Sequence, residues 1–225
     1  MAVIEPERPI TRLLIAHGPA ERRAGDRLIW AFDERLAQIV RATTQPMIGQ
    51  MRLAWWDEAL GDASAARGRG DPLVDAIRAE HIAGMPGLAR MLDGWEALLE
   101  DGEPGDDAMA AFAAGRGEGI FGALARVEDP PAWLAAAGRL WALWDLSGHL
   151  ADARARARAV TLGRAEVEAI RAARWPRDWR ALRIATALAL HDVSREQAAA
   201  ARLTPAVYAR LVRIALAARW RTTIG

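Results

Sequence analysis

Apolar residues recur along the chain at the spacing of helix faces. Leu28, Phe32, Leu36, Ile39 and Val40 fall on one face of a first segment. Met47, Met51 and Trp55 recur every fourth residue in a second, with Ile48 and Ala59 alongside. Thr-Thr-Gln-Pro lies between them. Thr44 or Gln45 suits the N-cap of the second helix, and Pro46 suits its first position, where a missing N–H costs nothing. The pattern predicts helices from about Pro19 to Ala42 and from Pro46 to Leu60. They form an antiparallel hairpin in which Met51 and Trp55 are buried.

The rest of the chain reads the same way. Residues 1–18 are a lead-in broken by Pro6, Pro9 and Gly18-Pro19, with Ile10, Leu13 and Leu14 available to dock it. Asp71-Pro72 opens a helix through about Ile82. Leu88, Met91, Leu92, Trp95 and Leu99 share the next face. DGEPGDD, residues 101–107, is a loop. A glycine-rich helix then runs to about Val127. Its GRGEG stretch has neither the preceding strand nor the following Lys-Ser/Thr of a phosphate loop, so its small residues predict close helix contacts. Asp129-Pro130-Pro131 starts a long helix running on into ARARARAV. Trp175-Pro176 marks a turn, and two helices fill 180–220, separated near Asp192–Ser194 or at Thr204-Pro205.

Composition narrows the class. The 225 residues suffice for one domain with its own core, and no repeat or linker divides them. Ala and Leu dominate a 52% hydrophobic chain, which favours an all-α fold. A formal net charge of +1 gives no field directed at nucleic acid. All basic side chains other than histidine are Arg, and Cys is absent, which excludes disulfides and thiolate ligands. No secretory leader and no apolar run of about 18 residues is present, so a cytoplasmic protein without a transmembrane segment is expected. Ten Trp residues are many; indoles can line a core or sit at a membrane surface.

One segment carries more. Gly49 to Leu60, GQMRLAWWDEAL, resembles a signature of squalene/phytoene synthase-like proteins, in the branch of bacterial relatives of a mitochondrial complex I assembly factor, where similar segments read GEIRLQWWRDAL. The double Trp, the Arg ahead of it and the closing Ala-Leu carry the resemblance, which covers roughly the first two thirds of the chain. It implies a single isoprenoid (terpenoid) synthase-like helical bundle over residues 1–225, around a central apolar cavity.

The synthases that the chain resembles hold Mg²⁺ on two aspartate-rich patches, because carboxylate oxygens bind the ion and the ion bridges the substrate diphosphate. Laid on this chain, the first patch falls on Trp30 to Thr43 and puts Ala37, Gln38 and Arg41 at the acidic positions. The second falls on Asp145 to Arg156; Asp152 matches one carboxylate, and Arg156 replaces its partner. Asp145 and Asp152 are thus the remaining catalytic candidates, and no metal site is expected. Asp145 and His149, one turn apart, can hold a transition metal with Asp152 in principle, but a lone His in apolar surroundings more often serves structure. Arg41 with Gln38 on one helix, and Arg154, Arg156 and Arg158 on the facing one, form a candidate basic mouth for an anionic headgroup. A solvated helix end explains the same arginines. Arg52 and Trp56 are spaced for a cation–π pair.

The resemblance therefore implies a transferase-like pseudoenzyme that binds an isoprenoid, an anionic lipid or a partner protein. Respiratory complex assembly is the implied setting, in the cytoplasm and peripheral to the inner membrane. The alternative is an active farnesyl or geranylgeranyl diphosphate transferase with Mg²⁺ at a rearranged site around Asp33, Asp145 and Asp152. A pure interaction scaffold with a filled core is a third reading.

Overall fold

A computed structural model describes residues 4–100, 102–171, 173–200 and 204–220, and every regular element among them is helical. After α1 (Pro9–Ala16) come the hairpin helices α2 (Arg23–Arg41) and α3 (Pro46–Gly61). Next are α4 (Pro72–Ala79), α5 (Pro86–Glu96), α6 (Asp106–Phe112), a π-helical stretch (Ala113–Glu118) and α7 (Gly119–Ala125). α8 (Ala132–Ser147), α9 (Ala153–Ala165), α10 (Val167–Ile170), α11 (Arg180–Val193) and α12 (Pro205–Trp220) complete the order. The buried side chains from Leu14 to Leu211 form one cluster. No described helix is long and apolar enough to cross a membrane.

The punctuation follows the chain chemistry. Proline opens α1, α3, α4, α5 and α12. Asp71 caps α4 by accepting from the N–H groups of Leu73 and Val74. Gln45 is the N-cap of α3, without a side-chain bond. α2 and α3 do form an antiparallel hairpin: Phe32 and Trp56, equally far from the turn, meet with ring centroids 5.5 Å apart.

The predicted inner face of α3 is corrected. Met47 and Met51 are 72% and 68% exposed, Ile48 is exposed, and Trp55 is half-buried against Trp56. Gly49, Leu53, Trp56 and Ala59 face inward instead. Two stripes compete on this helix, and packing selects the one with Gly49, because the turn after α5 approaches there: a Cβ on Gly49 would lie 2.5 Å from Leu99. Arg52 is exposed, and the guanidinium over Trp56 is that of Arg35, 5.9 Å from the ring centroid. The long helix predicted from 131 onward is two helices. It breaks at residues 148–152, where Gly148 packs against the backbone of Ala199 and Asp152 starts α9.

The close helix approaches predicted from the glycines are present and decisive. Gly115 lies against Gly94 of α5, where an added Cβ would sit 2.4 Å from the Gly94 nitrogen. Gly117 lies against Gly138 of α8, with an added Cβ 2.4 Å from the Gly138 oxygen. The π-helical stretch is thereby clamped between α5 and α8 at backbone contact. Between these two glycines the chain carries one large side chain, Arg116.

Candidate functional site

Arg116 is the largest fully buried side chain, 1% exposed. Its Nε and Nη2 donate to Asp33 Oδ1 and Oδ2, both at 2.7 Å, in a two-pronged fork. Its Nη1 lies 2.9 Å from Asp145 Oδ2, an ion pair too poorly aligned to count as a hydrogen bond. Trp95 Nε1 also donates to Asp33 Oδ1, at 2.9 Å. Three aromatic rings enclose the guanidinium: Trp141 at 4.5 Å from its centroid, Trp95 at 4.9 Å and Phe112 at 5.4 Å. Asp33 thus stands in the apolar stripe of α2, and Asp145 in that of α8, because one guanidinium satisfies both.

A second arginine continues the chain of alternating charges. Arg8, just before α1, reaches Asp145 with Nη2 on Oδ1 at 2.5 Å and Nη1 on Oδ2 at 3.2 Å. The backbone N–H groups of Glu7 and Arg8 donate to the Glu34 carboxylate at 2.6 and 3.2 Å. The strap of residues 4–8 is thereby pinned across α2 and α8. Burial pushes the Asp145 carboxyl up, but Arg8 and Arg116 outweigh it and hold the group well below the ordinary carboxylate range. Burial opposes the charge on Arg116, and Asp33 and Asp145 outweigh that too, so the guanidinium is held protonated more firmly than usual. Burial raises Glu34 despite its two N–H donors.

A cavity of about 160 Å³ opens beside this network. Ala37, Leu98, Phe112 and Leu146 supply apolar wall; Gln38, Arg41 and His149 line it as well, and these three are exposed. His149 Nδ1 is occupied by the Asp145 backbone carbonyl at 2.8 Å. Arg41 makes no ion pair or side-chain hydrogen bond among the described residues.

The residues singled out from the sequence separate into two groups. Asp145, Gln38 and Arg41 line the cavity. Asp152 does not: it is exposed and caps α9, accepting from Ala155 N–H at 2.7 Å. Arg154, Arg156 and Arg158 are exposed and outside the cavity wall, and Arg158 is held by Asp106 and the Pro104 carbonyl. The four-arginine mouth is therefore reduced to Arg41. Arg116 is not among the residues singled out from the sequence, although a large basic side chain between two glycines, amid Phe112, Ala113, Ile120 and Phe121, is itself a signal.

Mg²⁺ needs carboxylate oxygens free to face it. Here the two carboxylates that share Arg116 already bind guanidinium and indole donors, and no described group of three His, Asp or Glu side chains converges on a point. The donor set does not fit the ion. No protein-family model matches the chain, and neither curated proteins nor solved structures give a significant match.

Proposed function

We propose that this chain is a metal-independent, squalene/phytoene synthase-like binding protein with an isoprenoid synthase-like bundle, and that it does not condense prenyl diphosphates. The observation that carries the reading is Arg116 between Asp33 and Asp145. A fixed guanidinium neutralises both carboxylates inside the fold, and the positions that match the synthases' ligands carry Ala37, Gln38, Arg41 and Arg156. The alternative, a prenyl transferase rearranged around Asp33, Asp145 and Asp152, loses its donors: two are neutralised internally and the third caps a helix.

A role with a partner protein, in the respiratory-complex setting that the resemblance implies, draws support from Met47, Ile48 and Met51, which stand exposed together at the start of α3. Assay with farnesyl and geranylgeranyl diphosphate in the presence of Mg²⁺ tests the main reading. No prenyl product is expected, and metal-dependent turnover lost in Asp145→Asn would overturn it.

A further inference from the structure

Resting on that reading, we infer that the cavity beside Arg116 takes a small anion with a body of five or six carbons, held without metal. Size sets the body. A cavity of about 160 Å³ is close to the roughly 150 Å³ that accommodates a benzene ring, and below the roughly 300 Å³ at which larger ligands begin to fit. The space encloses a single branched five-carbon unit or a small ring against Leu98, Phe112 and Leu146, and not the whole of a fifteen-carbon chain.

The uncommitted polar groups set the head. Among the lining acids, Asp33 and Asp145 are paired with arginines, and Glu34 accepts from two backbone N–H groups. Glu7 is exposed. Arg41 is the one lining guanidinium that has no acidic partner, and Gln38 and His149 stand with it in the wall. Arg116 Nη1 is ion-paired with Asp145 at 2.9 Å, so Arg41 carries the recognition of the head. Guanidinium forks match the oxygens of a carboxylate or a phosphate, and those two heads share this chemistry.

Calorimetry in a chelator, with 3-methylbut-3-enyl phosphate, benzoate, inorganic phosphate and farnesyl diphosphate as probes, tests the inference. The five-carbon phosphate or benzoate is expected to bind with one-to-one stoichiometry, at least tenfold more tightly than inorganic phosphate or farnesyl diphosphate. Which of the two binds identifies the head. Arg41→Ala, at an exposed position, should weaken that binding at least tenfold, and Ala37→Phe, which fills the cavity, should abolish it. Arg154→Ala should leave it unchanged. Lack of binding by both small probes, or equal binding by wild type and Arg41→Ala, overturns the inference and leaves the metal-independent reading standing. Binding that appears only when Mg²⁺ is added overturns both.

Discussion

Arg116 and Asp33, 83 residues apart in sequence, meet in a buried fork of two 2.7 Å hydrogen bonds. Breaking one partner of a buried pair strands the other's charge, which costs about 3–5 kcal/mol. Arg116→Met should therefore lose about that much in urea denaturation. Combining it with Asp33→Leu should restore part of the loss, since two apolar groups leave no orphan charge at that end. A single-variant loss below roughly 1 kcal/mol would mean the charges find water or other partners.

The glycine clamp gives a second test. Gly115→Ala and Gly138→Ala each drive a methyl into backbone closer than 3 Å, and overpacking of this kind costs about 1–3 kcal/mol or more. Gly61→Ala meets nothing within 4 Å at the end of α3 and should be neutral or stabilising by up to about 1 kcal/mol. Thermal denaturation of the three variants separates backbone contact from helix propensity, because propensity alone would favour Ala at every site.

The face of α3 gives a third. Trp56→Ala should cost about 3–5 kcal/mol, because Trp56 is buried against Phe32. Met51→Ala should change stability by less than about 0.5 kcal/mol. The reverse order would restore the stripe expected from spacing alone.

These contrasts mark what the sequence discloses. Helix periodicity, Asp71-Pro72, Pro46 and residues 102–105 of DGEPGDD place the elements, because caps and breakers act within a few residues; Asp106 and Asp107 already open α6, and Asp101 lies outside the described residues. The small residues of GRGEG foretell close packing for the same local reason. Which of two stripes on α3 turns inward depends on Leu99, some fifty residues away, and no local pattern contains that. Asp33, followed by Glu34 and Arg35, and Arg116, two residues from Glu118, read as ordinary charges, and only the tertiary meeting of α2, α8 and the π-helical stretch makes them one unit. Asp152 reads as a ligand by position and proves to be a cap, because Asp at a helix start serves either purpose.

Asp26 gives a pH test. Burial raises its carboxyl from the ordinary 3.8 to about 6, outweighing Arg126, whose Nη2 lies 3.0 Å away. A folded-state pKa above the unfolded one means that the folded chain keeps a proton the unfolded chain has released. The stability from that proton is complete below about pH 4 and is lost as pH rises to about 6. Asp26→Asn cannot titrate, so relative to wild type it should gain about 2 kcal/mol between pH 4 and pH 7, at roughly 1.4 kcal/mol per pKa unit. Chemical denaturation across this range checks it, and parallel curves would place the Asp26 pKa near its ordinary value.

Arg116 engages both Asp33 and Asp145, so neither carboxylate is left to hold a divalent ion. Calorimetric titration of the wild-type protein with Mg²⁺, and with Mn²⁺ as a tighter-binding probe, tests it most directly. No saturable site is expected at millimolar ion. A one-to-one site abolished by Asp145→Asn would contradict it.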